Sequence, residues 1–182
     1  MRSGTLDGIF VTGRGGAPMV AVDTVDAVAG QGLRGDRYSE HRGHWSPLDE
    51  CQVTLVAGET LDEIEATFGV SVRAGEHRRN LVTRGLDLMN LYGRTFTVGD
   101  AVLAFDRPRP PCRYIASITE PGMTRALGRA AAGSAPGSCS RQRSGSATRS
   151  SSASSALDQQ GSPLHGPLPC HWYRSHAMSS WS

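Results

Sequence analysis

The sequence predicts a mostly β fold, a barrel or a sandwich, with a few short helices. Three observations lead there. Short β-branched runs recur through the first 130 residues, glycine- and proline-rich turns punctuate them, and only one segment carries a clear helical period.

The runs 6–12 (LDGIFVT) and 19–25 (MVAVDTV) read as strands joined by the turn-rich GRGGAP. QVTLV at 52–56 and NLVT at 80–83 read as two more. RTFTV and AVLAF flank Gly99-Asp100, a two-residue hairpin signal. In ETLDEIEATFG, Leu61, Ile64 and Phe68 share one helical face and Gly69 supplies the stop. Thr60 with Glu63 three residues on has the spacing of a capping box. A second, weaker helix is expected in PGMTRALGRA.

These elements predict a domain over 1–130. From 131 the text changes: 15 of the remaining 52 residues are serine, and RSGSATRSSSASSA has no apolar period. Such a segment cannot bury enough surface to offset its ordering entropy. It reads as a low-complexity tail, either disordered or out of frame in a GC-rich coding sequence.

The net charge of +2 also divides there: 15 arginines face 16 acids in 1–130, and 4 face one acid in 131–182. The positive excess belongs to the tail, so the sequence does not argue for a nucleic-acid partner. Nothing at the start of the chain is built like a signal peptide, and no apolar run approaches a membrane span. With four widely spaced cysteines and no C-x-x-C pair, a cytoplasmic protein with cysteines as thiols is expected.

Four stretches bear on chemistry. In GLRGDRY, Gly35, Asp36 and Arg37 form a polar turn, which by itself reads as solvated loop. His41 and His44 lie in a loop with no third ligand in sight, so a metal site is not expected there. GEHRRNLVTRGLDL crowds Arg78, Arg79, Asn80, Thr83 and Arg84 about one strand, and arginine forks suit phosphate or carboxylate. The same crowd fits a solvated basic strand end equally well. FDRPRPPCRYI sets Cys112 behind Pro110 and Pro111, a stiff lead-in, between Arg109 and Arg113. Guanidinium groups beside a thiol favour the thiolate needed for attack or metal binding. A buried, inert cysteine is the plainer alternative.

GLRGDRY, QVTLVAGETL, GEHRRNLVTRGLDL, GRTFTVGDAVL and PPCRYI stand in the order and spacing of the MOSC domain, the C-terminal domain of molybdenum cofactor sulfurases. The chain resembles the small stand-alone bacterial members over roughly residues 5–129. The resemblance implies a compact, pyruvate-kinase-barrel-like β-barrel with a few short helices. It also implies association with molybdenum cofactor (molybdopterin) and, at the family level, with pyridoxal phosphate. Cys112 would then be the molybdenum ligand or sulfur carrier. Arg79 and Asn80 would contact the pterin phosphate, with Thr83, Arg84, Asp36 and Arg37 at the site or its rim. Reduction of N-hydroxylated compounds with electrons from an electron-transfer partner is one implied role. The alternative is a non-catalytic carrier accepting sulfur from a cysteine desulfurase. The resemblance further implies a closing strand and hairpin after the MTRALGRA helix, where this chain has serine-rich text.

Overall fold

The computed structural model describes residues 3–44, 51–130, 138–144, 146–148 and 159–160. Strands dominate. β1 (Thr5–Val11) and β2 (Val20–Val22) pair antiparallel across the glycine-rich turn, Ile9 opposite Val22. The run at 19–25 does not continue as one strand. It breaks after Val22, and β3 (Thr24–Val28) joins a different sheet with β4 (Gly32–Leu33). β5 (Val53–Ala57) is buried at every position, as a strand covered on both faces must be. α1 (Gly58–Phe68) returns the chain to β6 (Leu81–Arg84), which lies parallel to β5. A parallel pair requires such a crossover.

A 3₁₀ turn over Leu88–Leu91 precedes the hairpin of β7 (Thr95–Val98) and β8 (Ala101–Pro108), which turns at Gly99-Asp100 with Val98 opposite Ala101. α2 (Arg113–Ile118) and α3 (Met123–Ala130) follow. The serine-rich segment then contributes β9 (Ser138–Ser144), β10 (Ser146–Thr148) and β11 (Gln159–Gln160). β9 runs between β5 and β8 in the middle of the main sheet. Ladder bonds are made by backbone groups, so a segment with no apolar period can still complete a sheet.

The main sheet runs β11-β7-β8-β9-β5-β6-β1-β2, and β10-β3-β4 forms a second, smaller one. The architecture is the expected mostly β one with short helices. The described strands do not close into a ring. Two apolar clusters hold it. One lies among Ile9, Leu55, Leu81, Phe96 and Phe105; the other joins Val56, Ile64, Met123 and Leu127 under the helices.

Two expectations are corrected. α1 begins at Gly58, one turn earlier than the capping-box spacing suggests, with Ala57 at its N-cap and no side-chain cap. β5 delivers the chain into the helix already ordered, and Thr60 is buried inside it. Its other end is as expected: Gly69 takes the left-handed conformation, φ 61°, that ends helices. Cys51, buried just before β5, is disulfide-bonded and not a thiol, because chain spacing does not reveal which sulfurs a fold brings together. Cys112 is the free cysteine among the described residues. Also among these residues, no helix is long and apolar enough to cross a membrane.

Candidate functional site

Three stretches meet at the entry to β6: the loop after β4 (Asp36–Tyr38), the turn before β6 (His77–Asn80), and the lead-in to α2 (Arg109–Cys112). The first two carry charge into a buried place, and the third is mostly half-buried. Asp36, Arg37, His77, Arg78, Arg79 and Asn80 are all buried.

Asp36 and Asn80 form the frame. The Asp36 carboxylate accepts from the Thr12 and Tyr38 N–H groups, from Arg37 Nη1 at 3.2 Å and from Asn80 Nδ2 at 2.9 Å. Asn80 Nδ2 also donates to the Phe10 carbonyl, and its Oδ1 accepts from the Thr54 N–H and hydroxyl. The Asn80 amide therefore has both hydrogens and both lone pairs engaged, leaving nothing for a ligand. Its backbone continues the knitting, donating to the Thr54 carbonyl while its own carbonyl accepts from Phe10. Asp36 and Asn80 thus lock β1, β5 and β6 to the loop.

Above this frame sit three guanidinium groups. Arg37 spends its donors on Asp36 and on the Arg78 carbonyl at 3.2 Å. Arg78 donates to the Ala17 carbonyl. Arg79 donates from Nη2 to the Arg109 carbonyl at 3.0 Å, while its buried Nε has no partner among the described residues. Neither Arg78 nor Arg79 has a carboxylate partner among the described residues. Burial, with Arg37 adding repulsion, pushes the pKa of each down to about 10. Tyr38 and Cys112 pull Arg79 the other way, which sets the Cys112 sulfur within electrostatic reach of this guanidinium. An unsatisfied buried donor costs about 1–3 kcal/mol.

The turn is itself unusual. Arg78 has φ 60°, a left-handed conformation that costs a residue with a side chain about 1–2 kcal/mol. Such outliers cluster at functional sites. His77 lies beneath, its Nδ1 accepting the Arg79 N–H at 3.0 Å and its ring edge-on to Phe10. Burial first, then Arg79, Arg78 and Arg37, drive its pKa down to about 3, so the ring is neutral.

Cys112 sits at the N-cap of α2 with extended backbone, half-buried beside the second apolar cluster. Its carbonyl accepts from Thr124, which ties the cysteine to α3. Tyr38 bridges the two sides: Arg37 lies over its ring at 4.7 Å, and Arg109 reaches both ring and hydroxyl.

Of the predicted site residues, Asp36, Arg37, Arg79, Asn80 and Cys112 come together. Thr83 and Arg84 belong elsewhere. Thr83 is buried with its hydroxyl on the Val56 carbonyl, and Arg84 is ion-paired with Asp7 and Asp62, each at 2.6 Å. Among the described residues no group of three or more His, Cys, Asp or Glu side chains is placed to hold a metal ion. His44 instead stacks on Tyr114, rings 3.6 Å apart. The sequence reading does not select Tyr38, His77 or Tyr114, and it names Arg109 only as a neighbour of Cys112 and Arg78 only as one of the crowded arginines. The one available signal was GEHRRN itself, where Gly75 precedes four residues that no strand pattern explains.

The family model of the MOSC domain matches residues 38–148, more than half of the chain. The chain belongs to the MOSC domain family. This family is associated with molybdenum cofactor. The matched span runs from Tyr38 through the site turn and Cys112 to the end of β10. Among solved structures, this MOSC domain is similar to the YUAD protein of Bacillus subtilis, with TM-score 0.64 and 20% identity over 81% of this chain and 92% of that one. It is also similar to YiiM of Escherichia coli, with TM-score 0.58 and 20% identity over 89% of this chain and 71% of that one. YiiM of Geobacillus stearothermophilus aligns with TM-score 0.55 at 17% identity, over 80% and 71% of the two chains. At these identities the likeness speaks for the fold. No curated protein matches the sequence.

Proposed function

We propose that this MOSC domain holds molybdenum cofactor, with the phosphate end against Arg79 and Arg78 and the Cys112 sulfur turned to the molybdenum. One observation carries the reading: two buried guanidiniums have no carboxylate partner among the described residues, and one of them, Arg79, has an orphaned Nε and lies within electrostatic reach of the free thiol. A group of buried cations that outnumbers its acids is costly unless an anion completes it. The residues fit the group: guanidinium forks suit a phosphate ester, and a soft thiolate suits molybdenum.

The chain's own residues divide the work. Arg79 and Arg78 bind and neutralise the anion. Arg37 holds the Arg78 carbonyl, and Asp36 with Asn80 fixes the frame beneath. The proline lead-in and Thr124 orient Cys112, whose half-burial limits access of water to the sulfur. When bound, the cofactor supplies a metal centre that exchanges electron pairs, and reduction of N-hydroxylated compounds by electrons from a partner protein is the class of reaction that follows. Its action is inside the cell, where that cofactor is made.

The test is metal content. Protein purified from a host that makes the cofactor should carry close to one molybdenum per chain by mass spectrometry. Cys112→Ser should lose it with an unchanged melting curve. Equal metal in both would overturn the reading. The partial exposure of Cys112 also supports a second one, a carrier that takes sulfur from a cysteine desulfurase. A metal-free wild type that gains one sulfur on Cys112 after incubation with desulfurase and cysteine would favour it.

A further inference from the structure

We propose that His77 is a positioning residue for this site: a charge-neutral acceptor that fixes the Arg78-Arg79 turn without cancelling the positive charge it presents. The inference rests on the reading of the site as an anion cradle and goes beyond it in naming what shapes the cradle.

The turn leaves one backbone donor to be accounted for. Gly75 opens it at φ 95°, and a Cβ there would lie 2.8 Å from the Met19 Cβ and 3.1 Å from Phe10 Cδ1. Its carbonyl accepts the Arg78 N–H at 2.9 Å. Arg78 then takes the left-handed conformation, and Arg37 holds its carbonyl. The Arg79 N–H is left inside the protein, and among the described residues only His77 Nδ1 meets it. If that bond is lost, the peptide between the two arginines is held on its carbonyl side alone, by Arg37.

The usual side chain for accepting an N–H two residues on is Asp or Asn. Asp would bring a negative charge into a place where Arg37, Arg78 and Arg79 face one carboxylate, Asp36: three minus one leaves +2, and a second acid would halve it. Imidazole accepts while staying neutral, because a ring nitrogen that accepts carries no proton. The proton is then on Nε2, which has no acceptor among the described residues. Burial and the surrounding guanidiniums disfavour a second proton. Phe10, edge-on at 5.0 Å, sets the ring plane.

Three substitutions in the full chain separate the roles. Asn Oδ1 falls where His Nδ1 is, so His77→Asn should retain the turn, while His77→Asp retains the acceptor and adds charge, and His77→Ala removes the acceptor. Inorganic phosphate, titrated calorimetrically at low salt near neutral pH, is the probe. His77→Asn should bind within about threefold of wild type, and His77→Asp about tenfold or more weaker, since a nearby buried charge is poorly screened. In His77→Ala the Arg79 amide should exchange with solvent at least tenfold faster by NMR. Equal affinity in His77→Asp, or an unchanged Arg79 exchange rate in His77→Ala, overturns this role alone. A wild type that binds no phosphate overturns both the role and the cofactor reading.

Discussion

Two arginine-rich regions of this domain make opposite use of the same side chain. On the outside of α1, Arg84 and Arg73 are each shared between two carboxylates: Arg84 with Asp7 and Asp62, Arg73 with Asp62 and Glu65. Both guanidiniums are raised above their ordinary pKa by these bonds, and Asp62 is held down to about 2. At the β6 entry, Arg78 and Arg79 are buried, have carbonyls in place of carboxylates, and are pushed down to about 10. The outer network is complete in itself. The inner one has no ionic partner for Arg78 or Arg79 among the described residues. Positive charge in a sequence therefore marks a site only where the fold withholds the matching acid.

The largest effect should come from the frame under the inner group. Asn80→Ala removes partners from Asp36, Thr54 and Phe10 together, all inside the protein. Loss of a buried network of this kind costs about 3–5 kcal/mol, which urea unfolding would measure. Because the Asn80 amide is saturated, phosphate affinity of the chain still folded in the cold should change by no more than a few fold. A stable Asn80→Ala that has lost phosphate binding would make Asn80 a ligand contact and not a frame residue.

A smaller effect of opposite sign is expected at Arg79. Replacing a buried charge that lacks an ionic partner by an apolar side chain of similar length often stabilises, here by about 1–2 kcal/mol for Arg79→Met. Phosphate binding should vanish in the same variant. Such a trade is what a residue kept for function, at the expense of stability, predicts. A raised melting point with lost binding would sharpen the contrast with Arg84; a clear loss of stability would erase it.

How much of this is visible in the text varies with the range of the interaction. The β7–β8 hairpin and the end of α1 are local, and Gly99-Asp100 and Gly69 are enough to announce them. The start of α1 is not, since the strand before it and not a cap sets where it begins. β9 could not be read, because its place between β5 and β8 depends on backbone pairing that leaves no apolar period. At the site, Cys112 and Arg79 stand out through proline stiffness and arginine crowding. Asn80 also stands out, but its neighbourhood, Thr54 and Asp36, lies 26 and 44 residues away, and only the fold shows that its amide is spent. His77 is hidden for the same reason: a histidine two residues before Arg79 acquires meaning from the left-handed Arg78 between them. The ion pairs of Arg84 could not be read either, because Asp7 and Asp62 are remote in sequence and adjacent in space.

Arg84 gives the smallest effect and the sharpest control. Its guanidinium packs over Gly58, where an added Cβ would meet it at 2.8 Å, and its charge is partly open to water. Arg84→Ala should therefore cost no more than about 1 kcal/mol, and less in high salt, as exposed ion pairs do. Asp62 reports the change directly. Its carboxyl is held low first by the Arg84 bond and then by Arg73, so an NMR titration should show it moving back toward 3.8 in the variant. The sign follows from linkage: a depressed folded pKa gives stability that is present above the unfolded value and lost as pH falls from there toward 2. With Arg84 gone that acid-side window should narrow, while phosphate affinity stays at the wild-type value. A drop in affinity would tie the outer network to the inner site and dissolve the distinction between an arginine that its own acids satisfy and one that waits for a ligand.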